Sequence, residues 1–234
     1  TLSYIYMENY NQGNKLTNLA GDDATHVLHA ATQGVMGGAL SGVFVIQDDR
    51  GAVGTTTDLG IDNTWYTIGA RQKGKAGALD YRVEYYHQFG DGEVAANDLN
   101  ALTGIGATNY NNNLSDVDRD AHMFGIRVGK TFKNVNMSPT VTLWYDRLSG
   151  NDDDDVTGKA FGQFDTLYDT GHKFYGLMDF YLNRAGSGTG YYGIQDYAIK
   201  FKGSPKPGWT AKMDWHHFRT QTDLEGNDSD TVRT

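Results

Sequence analysis

The 234-residue sequence has no cysteine, only three prolines and a low hydrophobic content of 38%. The absence of cysteine excludes a disulfide framework, thiolate metal sites and cysteine nucleophiles. No apolar run approaches the roughly 20 residues that a membrane-spanning helix requires. Globular domains typically contain roughly 45–50% apolar residues, so this chain has few apolar side chains with which to fill a solid core. The sequence therefore predicts neither a disulfide-rich module nor a helical membrane protein.

Glycine and tyrosine are abundant, with 30 and 15 residues, and the formal net charge is −9. The negative charge argues against a general nucleic-acid binder. Alternation with period 2 recurs along the chain, whereas helical periodicity is almost absent, which predicts an all-β protein. We predict strands near residues 1–8, 25–31, 39–48, 64–73, 78–89, 120–132, 139–148, 191–202 and 208–219.

The predicted strands carry apolar side chains on one side and charged side chains on the other. In the segment 79–89 the first side carries Leu79, Tyr81, Val83 and Tyr85, and the second carries Asp80, Arg82 and Glu84. Several of these strands reach about 10 residues, the length with which a tilted strand crosses a bilayer. An Arg or Lys side chain that faces lipid at mid-membrane costs roughly 2–4 kcal/mol, so the charged side is expected to face a wet interior.

The connections between the predicted strands alternate between long, polar segments and short turns. Bacterial outer-membrane barrels show this asymmetry, with short periplasmic turns and longer extracellular loops. We therefore predict an antiparallel transmembrane β-barrel of the outer-membrane type, with a soluble β-sandwich as the alternative. We expect a single barrel domain over residues 1–234 that forms part of a longer barrel, because the sequence starts in a strand-like run and ends in a polar stretch. The long extracellular loops are expected at about 9–24, 49–63, 90–119 and 149–190.

The strand alternation selects a set of candidate lumen residues that would contact a solute. These are Arg71, Arg82, Arg127, Lys200, Lys212, Asp80, Glu84, Asp146 and Asp214. One further segment, 172–182, has strand-like alternation, but a membrane crossing there would break the alternation of long and short connections. We expect this segment to fold at the barrel mouth or to dip into the lumen.

Motifs that carry chemistry are scarce. The segment 69–76, GARQKGKA, nearly matches a phosphate loop, but it ends in Ala76 where a magnesium-binding Ser or Thr is required, and no helix follows. We predict no cofactor, no metal centre and no catalytic set of residues, hence no enzyme. The acidic stretch that contains Asp152 and Asp154 offers carboxylates for calcium, but it lacks the spacing of a calcium loop, and a solvated, self-repelling loop is the preferred interpretation.

The segment 145–183, YDRLSGNDDDDVTGKAFGQFDTLYDTGHKFYGLMDFYLN, resembles the alginate-export family of outer-membrane proteins. The later stretches GIQDYAIKF and WTAKMDWHHF and the hairpin WYTIGARQKGKAGALDYRVEYYHQFGD are also similar, so the resemblance covers about residues 64–219. It implies a monomeric barrel of about 18 strands that conducts an anionic polysaccharide passively through an arginine-rich lumen. The candidate lumen residues of this chain are nearly balanced in charge, which leaves the strength of anion selectivity open.

Within the family phrase, His172, Lys173 and Asp179 are expected at the mouth, where hydrogen bonding would hold an inward loop. The predicted function is a channel in the bacterial outer membrane for a polar or anionic solute, with polysaccharide export among the possibilities. The alternative is a structural barrel or sheath that scaffolds a periplasmic or surface protein. Expected partners are outer-membrane lipid, lipopolysaccharide and the solute, and no nucleic acid.

Overall fold

The computed structural model describes residues 1–9, 23–49, 63–95, 114–151, 160–167, 183–184, 187–188 and 192–222. Every regular element in these residues is a β-strand. No helix in this part of the chain is long and apolar enough to cross a membrane. The strands are β1 (Leu2–Asn9), β2 (Asp23–Val35), β3 (Gly38–Asp49), β4 (Asn63–Ala76), β5 (Leu79–Ala95), β6 (Leu114–Thr131), β7 (Thr140–Leu148), β8 (Ala160–Phe161), β9 (Asn183–Arg184), β10 (Ser187–Gly188), β11 (Ile194–Gly203) and β12 (Ala211–Arg219).

The strands form one 10-stranded sheet and a separate two-stranded pair, β9 with β10. In the large sheet, β1 to β7, β11 and β12 follow one another in chain order, and every neighbouring pair is antiparallel. The short strand β8 pairs parallel to β6, at Asp118 and Arg119. This up-and-down order arises because short turns can join antiparallel neighbours directly.

The turns between consecutive strands lie at one end of the sheet, which we call the turn end. Two residues, Met36 and Gly37, join β2 to β3, and both have positive φ values, 47° and 74°. Two-residue hairpins favour this left-handed conformation because its twist matches that of the flanking strands. The opposite end of the sheet, where the longer connections attach, is called the loop end below.

All nine predicted strands are present, but several are longer than predicted. Strand β5 continues to Ala95 and β6 begins at Leu114, so the connection expected at 90–119 is shorter. The sequence there is rich in Asp, Asn and Gly, which are rare in strands, yet the pairing continues from Gly92 opposite Val117 to the ends. The connection expected at 149–190 contains the short strands β8 to β10, and the segment 172–182 lies outside the described residues.

The two faces of the sheet differ as the alternation predicted. The apolar face is exposed and carries large side chains, among them Ile68 at 51%, Leu143 at 58% and Ile199 at 47% exposure. The charged face carries side chains that are almost fully buried, including Arg127 at 7% and Asp146 at 0% exposure. A protein in water has the reverse arrangement, because burying charge is costly and burying apolar surface is favourable. The sheet is therefore built to meet lipid on one side.

The buried apolar cluster is small and lies on the charged face near the loop end. It consists of Ala121, Leu148, Phe164 and Ile194, with Tyr86, Met123 and Phe218 packed against it. Phe164 reaches this cluster from the connection that follows β8. The cluster therefore fixes a piece of chain against the sheet.

Candidate functional site

The nine residues predicted to line the lumen all lie on the charged face. They share this face because they occupy alternate positions on paired strands, with Arg82 opposite Arg127 and Lys200 opposite Asp214. Arg71 lies opposite Glu84, and Lys212 lies near the turn end of β12. These placements follow from the period of 2 along each strand.

An ion-pair network crosses the middle of the charged face. Arg82 Nη2 lies 2.6 Å from Glu84 Oε2, and Arg127 Nη1 lies 3.3 Å from Glu84 Oε1. Arg127 Nη2 also donates to both oxygens of Asp146, at 3.1 and 3.3 Å. Because Glu84 and Asp146 are almost fully buried, each of their charges depends on these partners.

Gly125 makes room for this network. It lies between Glu84 and Asp146 in the register of β5, β6 and β7. A Cβ atom at Gly125 would approach Asp146 Oδ1 to 2.8 Å and Glu84 Cγ to 3.1 Å. The two carboxylates can therefore flank Arg127 only because this position has no side chain.

Trp144 forms an aromatic platform beside the network. The Cζ atom of Arg127 lies 3.4 Å from the centroid of its ring, and the Nζ atom of Lys200 lies 4.0 Å away. The indole Nε1 donates to Asp146 Oδ2 at 2.8 Å. A cation over an aromatic face is attracted by the negative centre of the ring. Trp144 thus holds two cations in place on the charged face.

The network extends to the last strand through a histidine–carboxylate pair. His216 Nδ1 lies 2.9 Å from both carboxylate oxygens of Asp196. Asp196 is completely buried and lies directly opposite Asp146 on the neighbouring strand. A continuous ribbon of charged and polar side chains thus runs across β5, β6, β7, β11 and β12.

Acidic and basic residues on the charged face differ in accessibility. Glu84, Asp146 and Asp196 are buried at 3%, 0% and 0% exposure, each beside a cationic or histidine partner. The accessible acids of the nine are Asp80 and Asp214, with side chains 51% and 46% exposed. Half-buried or exposed cations on the same face outnumber them; these are Arg71, Lys73, Lys75, Arg82, Lys200, Lys202 and Lys212. Among the side chains that the structure describes, the accessible charge on this face is therefore mainly positive.

Some of these cations line an open cavity near the turn end, with a volume of about 550 Å³. Lys73, Lys75, Arg82 and Arg127 contribute to its wall, together with Asp80. Lys75 Nζ pairs with Asp80 Oδ1 at 3.1 Å, but both side chains are largely exposed. The pair is therefore open to solvent.

At the loop end, residues 160–167 lie against the charged face; we call this stretch the docked segment. The Oδ1 atom of Asn151 accepts hydrogen bonds from the amides of Gly162 and Gln163, at 2.7 and 2.9 Å. The amide of Phe164 donates to the carbonyl oxygen of Ser149 at 3.1 Å. These contacts account for backbone groups that would otherwise be buried without partners.

Two side chains of the sheet also hold the docked segment. Gln88 donates from Nε2 to the carbonyl oxygen of Asp165, and the amide of Asp165 donates to Gln88 Oε1, both at 2.8 Å. Arg119 Nη2 donates to the carbonyl oxygen of Gln163 at 3.1 Å and to Gln88 Oε1 at 3.0 Å. The segment is thus bound through its backbone by buried side chains of β5 and β6.

Arg119 is packed between this segment and the sheet. Its Cζ atom lies 3.8 Å from the ring centroid of Trp65 and 5.2 Å from that of Phe161. Its strand neighbours Asp118 and Asp120 point to the other face and are exposed, so Arg119 lies beyond the apolar band. Burial lowers the pKa of its guanidinium to about 10, and the charge of Asp165 opposes this shift. Arg119 therefore remains protonated at neutral pH.

The sequence pattern does not identify Gln88, Arg119 and Asn151 as residues that hold the docked segment. Arg119 falls in the connection predicted at 90–119, although it continues the alternation of Arg127 along β6. The predicted mouth residues His172, Lys173 and Asp179 and the calcium candidates Asp152 and Asp154 lie outside the described residues. Among the residues that the structure describes, no group of three or more His, Asp or Glu side chains is placed to hold a metal ion.

The exposed apolar face, the buried ion pairs of the other face and the antiparallel order together define a transmembrane β-barrel of the outer-membrane type. The chain belongs to the alginate export family, whose model, described as "Alginate export", matches residues 3–227. This is a family of outer-membrane transport proteins rather than of enzymes. No curated protein and no solved structure matches the chain significantly.

Proposed function

We propose that the protein is a passive channel of the bacterial outer membrane, and that its charged face lines an aqueous path for polar, preferentially anionic solutes. An anionic polysaccharide is the solute class that the family suggests. The long connections would lie outside the cell, and the docked segment would narrow the path at that end.

The observation that carries this proposal is the difference in accessibility between acids and bases. The carboxylates of Glu84, Asp146 and Asp196 are buried beside their partners, while Lys75, Lys202 and Lys212 remain accessible. An anionic solute would exchange part of its hydration shell for contacts with these cations. Conduction also requires that a solute can leave, and the exposed carboxylates of Asp80 and Asp214 would keep binding weak.

Planar-bilayer recording of the full-length protein tests the proposal. In a KCl gradient the reversal potential should show a preference for chloride over potassium. The double charge reversal Lys202→Glu with Lys212→Glu should abolish or invert this preference, because it places two negative charges on the accessible part of the wall. Lys206→Glu is the matched control, since Lys206 lies in the exposed turn between β11 and β12.

Solute specificity can be tested in the same recordings. Polyuronate oligosaccharides added to one chamber should block the current transiently, and neutral oligosaccharides of equal length should block it less. The block should weaken in the double charge-reversal variant and persist in the Lys206→Glu control. An absence of ion current, or a preference for potassium in the unmodified protein, would contradict the proposal.

A further inference from the structure

A row of aromatic side chains crosses the apolar face near the loop end. Its ring contacts form one run from β3 to β5 and a second run from β6 to β12, with centroid distances between 4.8 and 6.4 Å. The members of this aromatic row are Phe44, Tyr66, Phe89, Phe124, Tyr145, Tyr197 and His217. Outer-membrane barrels carry such girdles where the hydrocarbon core meets the headgroups. Residues just beyond the row are therefore at the level of lipid headgroups.

The charges just beyond the aromatic row divide into two sectors. On β5 and β6 the outward positions include His122 and three exposed acids, Asp91, Asp118 and Asp120. On β7 and β12 they are basic, with Arg147 and Arg219. No outward-facing position of β7, β11 or β12 carries an acid, and among the described residues neither arginine forms an ion pair. The basic sector is therefore an electrostatically distinct part of the rim.

Gln195 joins the two arginines into one row. It lies directly opposite Arg147 on one neighbouring strand and directly opposite Arg219 on the other. Cβ atoms of directly opposite residues are about 4.5–5.5 Å apart, so three side chains fall within roughly 10 Å. This width suits a single headgroup.

The hydrogen bonds of Gln195 make this row a set of donors. Both Tyr145 and Tyr197 donate from their hydroxyl groups to Gln195 Oε1, at 3.4 and 3.0 Å. The amide oxygen is thereby occupied, and the amide NH₂ group is left to donate. Arginine has five N–H donors and no acceptor, so Arg147, Gln195 and Arg219 together offer donors only.

We propose that Arg147, Gln195 and Arg219 form a binding site for the phosphate group of a lipid in the outer leaflet, such as phosphorylated lipopolysaccharide. Arginine binds phosphate with two parallel hydrogen bonds, which matches the donor row. From this site toward the turn end, the apolar face carries Leu143, Ile199 and Trp215. All three are strongly exposed, which suits contact with acyl chains. A headgroup anion attached to acyl chains satisfies both features, whereas a free anion satisfies only the first.

Binding of diphosphoryl lipid A to the detergent-solubilised full-length protein, followed by native mass spectrometry, tests this site. Combining Arg147→Gln with Arg219→Gln should raise the Kd for the lipid roughly a hundredfold, because two charge-assisted contacts are lost. The matched control combines Lys130→Gln with Lys206→Gln, which removes two cations from the turn end instead. Gln195→Glu is an independent variant, since its carboxylate would pair with the arginines and repel phosphate.

The lipid and its phosphate can be separated within the same assay. Dephosphorylated lipid A should bind as weakly to the unmodified protein as diphosphoryl lipid A binds to the double arginine variant. If diphosphoryl lipid A bound the double arginine variant or Gln195→Glu as tightly as it binds the unmodified protein, the proposed site would be wrong. If inorganic phosphate at equal concentration displaced the lipid, the proposal that a lipid occupies the site would be wrong. Circular dichroism of each variant verifies that the barrel is folded.

Discussion

Gln88 on β5 and Asp165 in the docked segment exchange two hydrogen bonds, each of 2.8 Å. The glutamine side chain presents one donor and one acceptor to the backbone of Asp165, as the backbone of a neighbouring strand would. The backbone of the segment itself bonds to the backbone of the wall only at β8 and at Phe164, whose amide donates to the carbonyl oxygen of Ser149. The position of the docked segment therefore depends on side chains of the wall, with Gln88 at the centre.

Gln88→Ala is expected to release the docked segment from the wall. The substitution removes both hydrogen bonds to Asp165 and the acceptor of Arg119, so the free energy of unfolding should fall by about 1–3 kcal/mol. If the segment narrows the path, single-channel conductance and open-channel noise should both rise. Planar-bilayer recording measures the conductance, and urea unfolding in lipid vesicles measures the stability.

Gln33→Ala is the matched control for this variant. Gln33 also lies on the charged face, but it is exposed near the turn end and does not contact the docked segment. Its substitution should leave both conductance and noise unchanged. If Gln88→Ala also conducted like the unmodified protein, the docked segment would not limit the path.

Arg127→Met should be among the most destabilising substitutions on the charged face. Arg127 pairs with both Glu84 and Asp146, which are almost fully buried, and the variant would leave two buried carboxylates without this cation. Breaking a buried ion pair costs about 3–5 kcal/mol, and this loss should appear in urea unfolding of the barrel in vesicles.

Lys75→Met provides the comparison for Arg127→Met. Lys75 also pairs with an acid on the charged face, Asp80, but both side chains are exposed. Exposed pairs contribute about 0–1 kcal/mol, so the loss of stability should be small. Similar losses in the two variants would show that the pairs of Arg127 are not protected from water.

Face assignments could be predicted from the sequence because a strand has a period of 2. Once the strands were located, the positions of Arg82, Arg127 and Asp146 on one face followed without knowledge of their partners. The pairing between them could not be predicted, because it depends on the register between strands. The register in turn depends on turn geometry, which the alternation does not specify.

The docked segment could not be predicted in detail for a different reason. Gln88 and Asp165 are 77 positions apart, and a glutamine in a strand gives no sign of a distant partner. The strand position of Arg119 could be predicted in principle, because Val117, Arg119 and Ala121 continue the alternation of β6. The polar composition of 114–119 nevertheless predicts a loop. In the structure these residues form a strand, because they pair with β5.

Gly125→Ala should destabilise the barrel although alanine is the smallest side chain that can be added. Its Cβ atom would lie 2.8 Å from Asp146 Oδ1 and 3.1 Å from Glu84 Cγ, so the carboxylates would have to move away from Arg127. Overpacking of this kind costs about 1–3 kcal/mol, measured by urea unfolding.

Gly42→Ala is the control for the effect of adding a methyl group to a strand glycine. The nearest atom to a Cβ there is the carbonyl oxygen of Gly69 at 3.6 Å, an ordinary contact distance. The stability of this variant should match that of the unmodified protein within error. An equal loss in both variants would mean that the network does not require the space at Gly125.

Adjacent positions on β7 allow a direct test of which face meets lipid. Leu143 is 58% exposed in the middle of the apolar face, and Thr142 points to the charged face opposite Gly129 and Lys200. Leu143→Arg should lower the free energy of unfolding in vesicles by roughly 2–4 kcal/mol, because the guanidinium would enter hydrocarbon. Thr142→Arg introduces the same side chain one residue away into a polar environment and should cost much less. A larger loss for Thr142→Arg than for Leu143→Arg would reverse the assignment of the two faces, because the wet side would then be the one that carries Leu143.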